Sequence, residues 1–127
     1  MAAELLTSIS DGVLHIALDR PEAKNALTVA MRDGITDALR DARSNPDVRS
    51  VLISGRGDAF CSGMDLGAST VMQAGRPDFR TRMTSEALRI GVQAFIRELW
   101  ELDKPTVAAV HGAAVGPGAH LALACDF

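Results

Sequence analysis

The sequence predicts an α/β domain. Three observations carry that prediction: a two-residue hairpin signal near the start, amphipathic stretches alternating with short apolar runs, and a glycine-rich turn leading from the last run into a helix. At 127 residues the chain is one domain or part of one, and its 47% hydrophobic content is enough to bury a core. Aromatics are 4% of the chain, so that core has to come from Ala, Leu, Val, Ile and Met.

The first two strands run from Leu5 to Ser10 and from Val13 to Leu18, on either side of Asp11-Gly12, a strong type I′ hairpin dipeptide. In the second strand Leu14, Ile16 and Leu18 share one face, and Val13, His15 and Ala17 share the other. His15 reads as an exposed or edge histidine rather than a ligand. A turn-rich link, Asp19 to Leu27, follows, and Thr28 is placed to cap a helix reaching about Asn45. Met31, Ile35, Ala38, Leu39 and Ala42 give that helix its apolar face, and Asn45-Pro46 stops it.

Val48 to Ser54 reads as the third strand, with Val51-Leu52-Ile53 apolar without alternation, as in a strand buried on both faces. Residues 67 to 78 read as a mobile loop. A second helix spans roughly Phe79 to Leu102, with Met83, Leu88, Val92, Phe95, Leu99 and Leu102 as a core stripe. Pro105 to Val110 is the fourth strand. Gly112 to Gly118 turns the chain into a last helix that starts near Pro117 and is still running at Phe127. The order is β-β-α-β-α-β-α. The absence of any polar closure on the last helix suggests the N-terminal part of a longer polypeptide.

Composition excludes several classes. A net charge of -3 gives no basic footprint for nucleic acid. Cys61 and Cys125 form no spacing pattern, which points to free thiols in a reducing compartment rather than a disulfide framework. The start, Met-Ala-Ala-Glu-Leu-Leu-Thr, lacks the basic region of a signal peptide. Pro105 to Cys125 carries no charged residue, but its Ala, Gly and Pro content and two histidines fit a strand, turn and buried helix better than a membrane span. Cys61, Cys125, His111 and His120 lack metal-ligand spacing, so no metal site is expected. Gly112, Gly116 and Gly118 do not match the spacing of a dinucleotide fingerprint.

Two segments carry chemistry. Gly57 to Leu66 reads Gly-Asp-Ala-Phe-Cys-Ser-Gly-Met-Asp-Leu, a thin, kinked loop at a strand end. Such a loop can turn its N–H groups onto a carbonyl oxygen that becomes negative during reaction, with Phe60 and Leu66 as anchors. An ordinary surface loop between strand and helix is the other reading of the same residues. The second segment, Lys104 to Gly118, is strand, glycine turn and helix start. Its unpaired N–H groups and partial positive charge would complete a two-sided clamp if they faced Gly63-Met64.

Three blocks in order then resemble one family: Leu18-Asp19-Arg20-Pro21-Glu22-Ala23-Lys24-Asn25-Ala26-Leu27, Ala59-Phe60-Cys61-Ser62-Gly63-Met64-Asp65-Leu66, and Lys104-Pro105 through Asp126. With the spacing between them they make nearly the whole chain similar to the N-terminal half of the enoyl-CoA hydratase/isomerase (crotonase) superfamily. The resemblance implies a spiral of ββα units, incomplete at its C-terminus, that binds an acyl-CoA thioester. It implies a thioester enolate held by two backbone N–H groups, one of them Met64's. It places Lys24, Ala26, Ser62, Gly63, Met64 and Leu66 along the coenzyme A portion of the substrate, with Lys24 near a phosphate. It further implies no separate cofactor, a cytoplasmic lyase or isomerase of fatty acid metabolism, and a homotrimer or hexamer assembled through later helices.

Two positions depart from the family pattern. The second oxyanion N–H belongs to the middle of a glycine turn, where this chain has Pro117, which has no N–H. Gly118 donates in its place, a water bridges, or the hole has one donor. His120 stands where hydratases carry a glutamate that positions water. An imidazole can act as a base near neutral pH, and a rim or core histidine is the alternative. Enoyl-CoA hydration or isomerisation is the leading expectation. Thioester hydrolysis or decarboxylation through the same enolate is one alternative, and a non-catalytic acyl-CoA-binding subunit is another.

Overall fold

A computed structural model describes residues 4–65 and 92–127. The loop expected over residues 67 to 78, the first part of the second helix with Met83 and Leu88, and Leu66 lie outside the described residues. Strands β1 (Leu5–Ser10) and β2 (Val13–Leu18) form the antiparallel hairpin in the register Leu5↔Leu18 to Ser10↔Val13. Asp11 and Gly12 both take positive φ, 52° and 82°, the twist-matched turn that their sequence signals.

From β2 onward the sheet is parallel. β2 pairs with β3 (Ser50–Gly55) and β3 with β4 (Thr106–Ala109), giving the order β1-β2-β3-β4. The crossover between β2 and β3 is α1 (Val29–Ser44). Helix α2 (Gln93–Glu101) precedes β4, and α3 (Pro117–Ala124) follows it. The core gathers Leu14, Ile16, Leu18, Val51 and Ile53 on one sheet face against Met31, Ile35, Leu39, Phe95 and Leu99 of α1 and α2. Met31, Ile35 and Leu39 are at most 1% exposed, and burying each contributes about 1.5–3 kcal/mol.

Helix α1 is fixed at both ends by side chains. The Thr28 hydroxyl accepts from the Met31 N–H at 3.2 Å, the N-cap bond that satisfies one orphan donor. At the other end Lys104 Nζ donates to the carbonyls of Ala42 at 2.6 Å and Asn45 at 2.9 Å, meeting the negative end of the helix dipole.

Three expectations need correction. His15 lies on an interior strand, not an edge, and its Nε2 sits 2.7 Å from Ser54 Oγ on β3. β3 begins at Ser50, and Val48 is buried in the turn before it. The last helix does not run to Phe127. It ends at Ala124, and Cys125 is extended. Asp126 Oδ2 accepts from the Thr106 N–H at 2.9 Å, the Phe127 N–H donates to Thr106 O at 3.1 Å, and the Ala108 N–H donates to Phe127 O at 2.9 Å. Those bonds draw the chain out alongside β4, where a helix would leave the outer edge of β4 unpaired.

Candidate functional site

Residues 60 to 65 run between two other segments and bond to both. On one side the Phe60 and Cys61 N–H groups donate to Ala113 O, and the Val115 N–H donates to Cys61 O at 3.0 Å. On the other side the Ser62 N–H donates to Lys24 O at 3.0 Å, and the Ser62 hydroxyl donates to Ala23 O at 3.3 Å. The Leu27 N–H then donates to Gly63 O at 2.7 Å, and the Asp65 N–H donates to Leu27 O at 2.9 Å. Phe60 and Cys61, both 0% exposed, anchor the entry to this stretch.

That last pair of bonds fixes the direction of one amide. Leu27 and Met64 form a parallel bridge in which Leu27 uses both its N–H and its C=O on the residues flanking Met64. In such a bridge the middle residue's own N–H and C=O point away from the partner. The Met64 N–H therefore faces away from Leu27 and has no acceptor among the described residues. A side chain it would be competing with is absent, because the preceding residue is Gly63 at φ 106°, a conformation that suits glycine.

The start of α3 lies against this loop. A Cβ on Gly63 would stand 3.2 Å from Val115 O and 3.5 Å from Pro117 Cδ. One on Gly118 would collide with the Cys61 carbonyl oxygen. The two segments that the sequence pairs as a clamp are thus in contact. Gly118, however, is buried, and its N–H donates to Val115 O at 2.9 Å. Its amide is engaged inside its own turn, so this geometry does not make it the substitute for the N–H that Pro117 lacks. Pro117 occupies the first turn of the helix, where its fixed φ is favourable. His120 is on the same helix and exposed.

Around the loop, Lys24 extends into solvent with Nζ 3.6 Å from Asp58 Oδ2, both side chains largely exposed. Ala26 is half-buried and donates its N–H to Ala23 O at 3.0 Å. Lys24, Ala26, Ser62, Gly63 and Met64 are therefore brought together in two adjoining segments. The sequence singled out neither of the residues that hold those segments in place. Asn25, 0% exposed and at φ 58°, accepts from the Arg20 N–H and donates to the carbonyls of Arg56 and Ala59. Arg20 reaches Asp65 Oδ2 at 2.7 Å and Ala26 O at 3.1 Å. An Asn able to take a left-handed turn was a usable local signal for the first; nothing local marks its partners.

Both cysteines are free. Burial pushes the Cys61 thiol up, partly offset by a hydrogen bond with the Gly63 backbone. Burial likewise pushes Cys125 up to about 11. His111 Nε2 lies 2.6 Å from Gly57 O, which ties it to the loop before the site. Among the described residues no three His, Cys, Asp or Glu side chains gather as metal ligands, and no helix is long and apolar enough to cross a membrane. A cavity of about 360 Å³ lies between β1 and α1, lined by Thr7, Ile9, Leu14, Ala38 and Val48 among others, away from these residues.

Residues 8–127 match the family model for enoyl-CoA hydratase/isomerase. The chain belongs to this family. It is 41% identical over 118 residues to a probable enoyl-CoA hydratase of Rhodobacter capsulatus, covering 93% of this chain and 42% of that one. It is 39% identical over 119 residues to the peroxisomal Delta(3,5)-Delta(2,4)-dienoyl-CoA isomerase of Arabidopsis thaliana, covering 90% and 42%. The solved structure of an enoyl-CoA hydratase/isomerase from Xanthobacter autotrophicus superposes with a TM-score of 0.81 at 32% identity, covering 100% of this chain and 45% of that one. The chain thus has the mixed α/β crotonase fold and spans under half the length of these relatives.

Proposed function

We propose that this chain supplies the oxyanion side of an acyl-CoA site, and that the protein carrying it is an enoyl-CoA hydratase or isomerase. The observation that carries this is the Met64 N–H, a backbone donor without an acceptor among the described residues, held by a glycine loop against the start of a helix. When water adds to the double bond of a conjugated thioester, or a base removes the α-proton of its β,γ-unsaturated isomer, negative charge moves onto the thioester oxygen. A preorganised amide stabilises that charge without reorganising. Met64 donates the N–H, and Lys24, Ala26, Ser62 and Gly63 line the coenzyme A portion of the substrate, which brings the only non-protein group required. Lys24 is suited to a phosphate because its ammonium is exposed and only loosely paired with Asp58.

His120 faces solvent on the helix that abuts the loop, where it can act as the base, and the residue completing the reaction lies outside this segment. Pro117 and His120 favour a second use of the same enolate, thioester hydrolysis or decarboxylation, and a purely binding role is the remaining alternative. The two free thiols support a reducing, cytoplasmic setting, and assembly as a trimer or hexamer goes with the family's longer chains.

The experiment compares Met64→Pro with Met64→Ala in the full-length polypeptide, following loss of the enoyl absorbance of crotonyl-CoA. Proline removes the N–H and no hydrogen bond of the fold described above, whereas alanine keeps it. A drop of about 10²–10³-fold in kcat for Met64→Pro, with Met64→Ala close to the parent, is the expected result. Equal rates in the two variants would remove Met64 as the donor. Coenzyme A-dependent stabilisation without turnover would leave the binding role.

A further inference from the structure

We infer that Arg20 is a positioning residue of the thioester site, acting through Asp65 to fix the direction of the Met64 N–H. This rests on the oxyanion role proposed for Met64. The backbone holds residues 63 to 65 to Leu27 by two hydrogen bonds, one on each side of Met64. Before Met64 the loop is further held at Ser62, which bonds to Lys24 O and Ala23 O. After Met64 the tilt of the chain is set by a side chain, the Asp65 carboxylate, 2.7 Å from Arg20 Nη1.

The same Nη1 donates to Ala26 O at 3.1 Å, so one guanidinium binds both sides of the bridge at once. Arg20 is itself well placed. Its N–H is bonded to the Asn25 side chain at 2.8 Å, and its Nε lies 3.6 Å from Glu4 Oε1. Glu4 Oε2 in turn accepts from Thr28, the cap of α1. The Arg20 and Asp65 side chains are 19% and 21% exposed, so the pair is partly withdrawn from solvent and gains more than a surface ion pair does. An oxyanion donor tolerates only about 0.5 Å and 10–20° of error. Misplacement by about 1 Å can cost 10²-fold in rate.

The test measures kcat, KM and melting temperature on crotonyl-CoA for the full-length protein and for Arg20→Met, Arg20→Lys, Asp65→Asn and the Arg20→Met/Asp65→Asn double variant. We expect Arg20→Met and Asp65→Asn each to lower kcat by about 10–100-fold while KM stays within about threefold. The double variant should be no slower than the slower single one, because both break the same link. Arg20→Lys should retain more kcat than Arg20→Met, since lysine can keep the charge on Asp65 but not both contacts. Unchanged kcat in Asp65→Asn, the near-isosteric change that keeps the fold if Arg20→Met does not, would overturn the inference. So would a loss of melting temperature with kcat intact, or additive losses in the double variant. A parent protein that turns over no acyl-CoA would overturn the proposed function and this inference with it, whereas an active parent with indifferent variants overturns this inference alone.

Discussion

Asn25 Nδ2 donates to the Ala59 carbonyl at 2.8 Å, across 34 residues of sequence, and thereby ties the link after β2 to the loop after β3. The same nitrogen reaches Arg56 O at 2.8 Å, while Oδ1 takes the Arg20 N–H at 2.8 Å. One buried amide thus satisfies three backbone groups that have no strand or helix to serve them. The segments it joins are those that flank Met64.

Asn25→Ala should destabilise the protein by about 3 kcal/mol, because it leaves three backbone groups without their partner. Chemical denaturation of the parent and the variant measures this directly. A loss under about 1 kcal/mol would mean that water replaces the side chain at little cost.

Pro117→Gly returns an N–H to the first turn of α3. If position 117 is where the second donor belongs, kcat on crotonyl-CoA should rise about 10-fold or more, within the 10²–10³-fold value of a full donor. An unchanged kcat with the melting temperature unchanged would show that the site draws no donor from position 117.

Gly118→Ala should cost about 1–3 kcal/mol, as its methyl group meets the Cys61 carbonyl oxygen and lies 2.8 Å from Cys61 Cβ. Gly116 has nothing within 4 Å of such a methyl, and its φ of 54° makes Gly116→Ala a test of conformation alone, at about 1 kcal/mol. Thermal melts of the two variants separate contact from strain, and equal losses would contradict the close packing of α3 on the loop.

Cys125, pushed up to about 11 by burial, holds its proton more tightly in the folded than in the unfolded chain. The resulting stability is fully present below the ordinary thiol range near 8.5 and fades as pH climbs toward 11. Melting temperature should therefore fall more steeply between about pH 9 and 11 in the parent than in Cys125→Ala. Iodoacetamide at pH 8 should label Cys125 far more slowly in the folded than in the denatured protein. Parallel curves would place the Cys125 thiol in ordinary solvent contact.

The elements whose cause is local were legible in the sequence. Asp11-Gly12 specified the hairpin, Thr28 the helix start, and the Met31–Ile35–Leu39–Ala42 spacing the buried face. Features decided by distant residues were not. The last helix stops at Ala124 because Asp126 and Phe127 bond to Thr106 and Ala108, a competition that no periodicity within the helix records. His15 looked peripheral because it stands isolated in the sequence, but β3 pairs alongside its strand and offers Ser54. At the site, the motifs brought Ser62, Gly63 and Met64 into view, while the engagement of the Gly118 amide follows from the 115–118 turn as folded. Arg20 and Asn25 stood inside a quoted motif without a role, because only the tertiary fold shows what they touch.

Among the four described strands β1 alone keeps an unclaimed outer edge, since β4 is met on its far side by Asp126 and Phe127. A bare edge invites strand-by-strand pairing between molecules unless it is short or polar. β1 is six residues long, and Thr7, Ser8 and Ser10 present hydroxyls to solvent. Its main-chain edge is therefore a poor template for fibrils. The large apolar side chains that stand open in this segment, Trp100, Leu123 and Phe127 at 78–80% exposure, lie on or after the helices and not on the hairpin.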